Sequence, residues 1–181
     1  MKKITTLLLS AFILLSPLAK AGWLDKQGNP IPDSDNLKSV GELVAHLAIT
    51  DTGLEALTNI DTLIQNIHSP GLNKIKRNQE ITAFVVFGGC AVNAEGKCDL
   101  VMNITVYQPD GTVFSDFTDM VVLSGIPAPN GSISAGTEYI KIIIESDEPL
   151  GKYKIDTEVI DKVSNNSMML TSHFTAVEAD E

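Results

Sequence analysis

The chain has 181 residues, with 13 lysine and arginine residues against 23 aspartate and glutamate residues and a formal net charge of −10. So acidic a chain lacks the basic surface that nucleic acids and anionic lipids require, and we expect it to bind neither. The length suits one ordinary domain with a complete hydrophobic core.

The N-terminal segment has the parts of a secretory signal peptide. Lys2 and Lys3 form a basic start, an apolar run extends from Leu7 to Leu15, and Ala19-Lys20-Ala21 fits a signal peptidase site. The run is shorter than the roughly 20 residues that span a bilayer, and no later segment is apolar enough, so we expect no membrane span. We predict a cleaved signal peptide over residues 1–21 and a periplasmic or secreted protein.

Residues 22–181 are expected to form a single domain. Three of the 13 basic residues leave with the signal peptide, so this domain carries 10 basic and 23 acidic residues, a net charge of −13. It opens with an arm, residues 22–37, rich in Gly, Asn, Pro and Asp, which predicts an extended, turn-filled lead-in. The single tryptophan, Trp23, lies in this arm, and we expect it to pack onto the domain.

A strand and a helix are predicted next. Side chains alternate from Leu43 to Thr50, which favours a first strand, although a short helix fits the same stretch. Leucine and isoleucine then recur every three or four residues after a capping box of Thr52 and Glu55. This spacing predicts a helical insert over about residues 52–68.

Beyond the insert the apolar pattern has a period of two, which is typical of strands. Further strands are predicted over residues 81–87, 100–107, 114–123, 140–144, 153–160 and 170–176. About seven short strands, most with one apolar face, predict an all-β fold in which antiparallel strands form a two-sheet sandwich.

Cys90 and Cys98 are the two cysteines of the chain. In an exported protein such a pair predicts a disulfide, and the spacing suits two strands that meet at a hairpin, with Gly96 in the turn. A redox pair usually has Cys-x-x-Cys spacing, and a metal pair needs further ligands close in sequence; neither is present.

Two stretches resemble immunoglobulin-like domains of the bacterial and macroglobulin types. One is Pro149-Leu150-Gly151-Lys152-Tyr153-Lys154-Ile155, followed by Val159, Asp161 and Phe174; the other runs from Ile104 to Gly111. The resemblance implies an immunoglobulin-like sandwich. Tyr153 is expected to be a structural corner residue, since its ring can pack on the end of the sandwich while its hydroxyl ties the corner loop.

The chain also resembles a group of exported bacterial proteins of unassigned activity, in which a cysteine precedes a Gly-x-Cys hairpin. Cys90 and Gly96-Lys97-Cys98 fill those places here. This resemblance implies a location and no activity.

Catalytic chemistry is not expected. The three histidines, His46, His68 and His173, are each predicted to lie at the surface, and no Gly-x-Ser-x-Gly or phosphate-binding motif is present. An envelope hydrolase would need a buried cleft that holds a histidine and a carboxylate together. We therefore predict that the protein is not an enzyme and uses no cofactor.

The sequence predicts a non-enzymatic binding or assembly module of the bacterial cell envelope, with a protein partner. The expected contact surface is three loops, Ala91 to Lys97, Ser124 to Gly136 and Lys162 to Ser167. The alternative is an exported metal-binding protein. It would hold calcium through the arm carboxylates Asp25, Asp33 and Asp35, or copper through Met169 and His173.

Overall fold

The computed structural model describes residues 22–24, 27–51, 72–127 and 132–179. Within these ranges the chain forms ten strands and no helix. The strands are β1 (Leu37–Val40), β2 (Leu43–Thr50), β3 (Lys74–Lys76), β4 (Ile81–Gly88), β5 (Lys97–Tyr107), β6 (Val113–Pro127), β7 (Ser134–Ala135), β8 (Ile140–Ile142), β9 (Gly151–Asp161) and β10 (Asn166–Val177). The predicted all-β class is confirmed. The signal peptide at residues 1–21 and the helical insert at about residues 52–68 lie outside the described residues and stay predictions.

The strands form two five-stranded sheets. The first has the order β1-β2-β4-β7, with β8 also paired to β4, and the second has the order β3-β10-β9-β5-β6. The prediction of about seven strands was wrong because β1, β3 and β7 have four residues or fewer, too few for an alternating pattern. The expectation of purely antiparallel pairing was also wrong, since β3 runs parallel to β10.

The two sheets share one apolar core. β9 illustrates the pattern, because Tyr153, Ile155, Thr157 and Val159 are buried while Lys154, Asp156 and Glu158, which alternate with them, are more exposed. β2 and β4 contribute from the other sheet, through side chains such as Leu47 and Phe87. Burial of apolar surface on this scale is the main favourable contribution to folding.

The first sheet is covered on its outer face as well. Trp23 is 5% exposed and packs in a second cluster that includes Val44, Ala48 and Phe84. The Trp23 indole N–H donates to the Lys38 carbonyl at 3.3 Å. The expected packing of Trp23 onto the domain is therefore confirmed, and the arm explains why β2 and β4 are buried along their whole lengths.

His46 lies beneath this arm and is 4% exposed. The prediction that His46 lies at the surface was wrong. The strand pattern places it on a polar face, but Trp23 covers that face, with its ring centroid 6.5 Å from that of His46. Ser34 donates to the side-chain oxygen of Asn36 at 3.0 Å, and the Asn36 amide in turn donates to Nε2 of His46 at 3.2 Å. Nδ1 has no partner among the described residues. Burial lowers the pKa of His46 from 6.5 to about 4.

This burial predicts a loss of stability in mild acid. Because the folded pKa lies below the unfolded one, the unfolded chain takes up a proton between pH 6.5 and pH 4 that the folded chain does not. Between pH 7 and pH 4.5 the wild type should lose about 2–3 kcal/mol more unfolding free energy than His46→Gln. Urea unfolding at both pH values measures this, with His173→Gln as a less buried control. Equal losses in wild type and His46→Gln would contradict the explanation.

Candidate functional site

The predicted disulfide between Cys90 and Cys98 is confirmed, with the two Cα atoms 6.0 Å apart. The predicted hairpin around it was wrong. Cys90 follows the end of β4 in the first sheet, whereas Cys98 lies in β5 of the second. A separation of eight residues suits a hairpin and a crossing between sheets equally, so only the sheet assignment distinguishes them. The bond joins the two sheets at one end of the sandwich and suits an oxidising compartment.

Asp161 reinforces the same end. Its side chain is 1% exposed at the last position of β9. One carboxylate oxygen accepts the Ala91 N–H at 2.9 Å, and the other accepts the Val163 N–H at 2.9 Å and the Ser164 N–H at 3.2 Å. Three N–H donors offset the cost of burying the charge. The sequence did carry a signal, because Asp161 occupies an inward position of β9 where a charged residue needs buried partners.

The described parts of the three predicted loops meet at this end, here called the disulfide end. Ala91 contacts Asp161 beside the β9–β10 turn, and Lys97 pairs with Pro127. The predicted loop bounds were too wide: Lys97 begins β5, β6 continues to Pro127, β7 lies within the second loop, and β10 begins at Asn166. Gly89 is also needed here, because its φ is +69° and an added Cβ would lie 2.0 Å from the Glu42 carbonyl oxygen.

Replacing Asp161 tests this network. Asp161→Asn removes the charge and turns an amide NH₂ toward backbone N–H donors, so the free energy of unfolding should fall by about 1–3 kcal/mol. Denaturant unfolding in oxidising buffer measures the change. Asp147→Asn, at an exposed carboxylate, is the control and should leave stability within about 0.5 kcal/mol. A similar change in the free energy of unfolding for both variants would argue against the role given to Asp161.

Tyr153 lies toward the opposite end of β9. Its hydroxyl donates to the Pro149 carbonyl at 2.7 Å. Its ring stacks on Phe174 with a centroid distance of 5.1 Å, and Phe114 meets it edge-on at 5.8 Å. The side chain therefore combines core packing with a hydrogen bond to the loop before β9.

Tyr153→Phe keeps the ring and removes the hydrogen bond. We expect a loss of about 1 kcal/mol in the free energy of unfolding, since the Pro149 carbonyl loses its donor. Tyr139→Phe is a matched control, because the Tyr139 hydroxyl has no hydrogen-bond partner among the described residues. Equal stability of wild type and Tyr153→Phe in thermal unfolding would exclude the corner bond as a stabilising contact.

A pocket of about 390 Å³ lies on the outer face of the second sheet. Strand register places Tyr107, Lys154 and His173 side by side on β5, β9 and β10. The lining, which we call the cationic pocket, consists of Tyr107, Gln108, Pro109, Gly111, Lys152, Lys154 and His173. No single stretch of the sequence predicts this pocket, because residues from three strands and a turn meet there. The alternation of Lys152 and Lys154 on β9 was the available signal.

Lys154 is held firmly in this pocket. Its ammonium group lies 2.6 Å from an Asp156 oxygen and 4.3 Å from the centroid of the Tyr107 ring. Asp156 also accepts the Thr171 hydroxyl at 2.8 Å. The hydrogen bond to Asp156 is the main cause that raises the pKa of Lys154. His173, half-buried beside it, has its pKa lowered by burial and by the charge of Lys152.

Of the arm carboxylates proposed to bind calcium, Asp25 lies outside the described residues. His68, which was predicted to lie at the surface, also lies outside them. Asp33 accepts the Ser39 hydroxyl at 3.1 Å, and the Asp35 carbonyl accepts the Thr171 N–H at 2.8 Å. Met169 and His173 are four residues apart on β10, a spacing of about 13 Å. In the described parts of the chain, no group of three or more His, Cys, Asp or Glu side chains is placed to hold a metal ion.

No helix of the described parts of the chain could cross a membrane.

No family model matches the chain, and no curated protein matches its sequence. Among solved structures, it is similar to a family 123 glycoside hydrolase from Clostridium perfringens, with 12% identity and a TM-score of 0.44 over 76% of this chain and 28% of that one. The alkylpurine DNA glycosylase AlkC of Pseudomonas fluorescens gives 12% identity and a TM-score of 0.43 over 76% of this chain and 31% of that one.

A Niemann-Pick type C2 protein from Japanese carpenter ant gives 11% identity and a TM-score of 0.36, over 57% of this chain and 79% of that one. The matches cover under a third of the lengths of the hydrolase and the glycosylase. Similarity at this level assigns neither a family nor an activity.

Proposed function

We propose that this chain is an exported, non-enzymatic binding or assembly module of the bacterial cell envelope, with an immunoglobulin-like sandwich as its scaffold. The proposal places its protein partner at the disulfide end. The observation that carries it is the convergence of loops from both sheets on one cross-link and one buried carboxylate. Loops fixed in this way lose little conformational entropy on binding, which favours affinity.

The composition of the disulfide end supports a protein partner. Val92 is 47% exposed and Ile126 is 52% exposed, although both are large apolar side chains. Val92 precedes Asn93, whose N–H donates to the Lys97 carbonyl. Ile126 precedes Pro127, which pairs with Lys97 in the sheet. Apolar side chains on a rigid support, surrounded by polar groups, are typical of the centre of a protein interface.

Site-specific cross-linking tests the proposal. A photoreactive phenylalanine analogue is placed singly at Val92, Ile126 or Val113 of the full chain, in cells that export it. Val113 is the control, because it is 56% exposed but lies at the far end of β5 and β6. We expect Val92 and Ile126 to capture the same envelope protein, and Val113 not to capture it.

A second arm tests the dependence on the cross-link. Cys90→Ala/Cys98→Ala should lose about 2–3 kcal/mol of stability in the chain-entropy model, and the capture should weaken because the loops are no longer held. Capture that is absent, or that is equal at Val113, would contradict the placement of the partner.

A further inference from the structure

We propose that the cationic pocket binds an oxyanion, the carboxylate, phosphate or sulfate group of a small acidic molecule. This site lies on the outer face of the second sheet toward the β5–β6 turn, away from the disulfide end. It is therefore separate from the protein contact proposed above.

The charge of the lining residues favours an anion. None of the seven lining residues is acidic, although the domain carries 23 acidic and 10 basic residues after removal of the signal peptide. Two of those ten basic residues, Lys152 and Lys154, line this pocket. The lining thus offers two ammonium groups and no carboxylate, which favours an anion over a cation.

The pocket also offers hydrogen-bond donors to a ligand. Lys152 has no hydrogen-bond or ion-pair partner among the described residues, so its ammonium group is free to meet a ligand. Lys154 is positioned by Asp156 and Tyr107, so less side-chain entropy is lost when it binds. Both lysines project from the same face of β9, two residues apart, so an oxyanion can lie between them.

His173 makes the site sensitive to pH. Burial, Lys152 and Lys154 lower its pKa, while Asp156 and Asp35 act in the opposite direction. The free ring is therefore neutral at pH 7, and a bound anion favours its protonation. Linkage then requires the anion to bind more tightly as the pH falls and the ring takes up a proton.

The volume of the pocket limits the size of the ligand. At about 390 Å³ the pocket lies near the lower end of the roughly 300–1,000 Å³ range of small-molecule sites. It suits a ligand of about the size of one sugar ring that carries an acidic group. Tyr107 and Pro109 line the pocket and offer apolar contact for such a ring.

Titration of the mature protein with defined probes tests the site. Inorganic phosphate, glucuronate and uncharged glucose are added at low ionic strength and pH 6, and binding is followed by NMR and calorimetry. We expect saturable binding of phosphate or glucuronate, with the largest shifts at Lys152, Lys154 and His173, and no binding of glucose. Tighter binding of glucuronate identifies a carboxylate on a ring, and tighter binding of phosphate identifies a phosphorylated ligand.

Variants provide the controls. Lys152→Gln and Lys154→Gln should each weaken binding by about tenfold, which corresponds to about 1.4 kcal/mol. Lys141→Gln is the matched control, an exposed lysine on β8 of the other sheet that pairs with Glu80, and it should bind like the wild type. His173→Gln should abolish the gain in affinity for glucuronate, whose carboxylate stays ionised, between pH 7 and pH 5.5. Circular dichroism checks that each variant is folded.

The proposal is overturned if neither phosphate nor glucuronate saturates the protein, if glucose binds as well as glucuronate, or if Lys141→Gln weakens binding as much as the pocket variants do. The cross-linking at Val92 and Ile126 is a separate measurement at another surface. A failure there leaves the result of the titration unchanged.

Discussion

The packing of two five-stranded sheets on a shared apolar core constrains the rest of the molecule. Alternate residues of each strand enter this core, so the remaining residues must face outward or be covered by another segment. Among the described residues, the outer face of the second sheet carries half-buried polar side chains such as Asn103, Asp156 and Glu158. The first sheet is instead covered by the arm around Trp23, which forms a second apolar layer. The two outer faces therefore have different chemistry.

The two ends of the sandwich are held together by different interactions. At the disulfide end, a covalent bond joins the sheets, and Asp161 binds backbone N–H groups of the adjoining loops. At the other end, Tyr153 binds the Pro149 carbonyl, and Arg77 donates to the Glu145 and Glu148 carbonyls. Each end uses a side chain to satisfy backbone groups that no strand pairs, which is what buried polar groups require.

The arrangement of charged side chains on the second sheet affects which molecules can bind there. On its outer face, the row of Tyr107, Lys154 and His173 adjoins a row that contains Asp156 and Thr171. Asp156 orients Lys154 and lies outside the lining of the pocket, so it fixes an ammonium group without filling the space beside it. An acidic protein can in this way present a small region of positive potential, and the surrounding negative charge limits which anions approach.

The sequence by itself determined the all-β class, the longer strands, the disulfide partners and the packing of Trp23, because alternation and cysteine pairing are local signals. It also singled out Tyr153 as a candidate structural corner residue. Strand boundaries near residues 97, 127 and 166 were displaced, since the ends of strands depend on the neighbour to which they pair. β1, β3 and β7 were missed because strands this short are stabilised by distant partners and carry no period of their own.

Only the tertiary structure decided which residues from separate strands share a site. In the folded chain, His46 lies beneath the arm and the disulfide links the two sheets. Lys154 lies beside Tyr107 and His173 on neighbouring strands. Each of these features depends on strand order and register. Both are fixed by how the two apolar faces fit together across the core, and a single strand read alone does not contain that information.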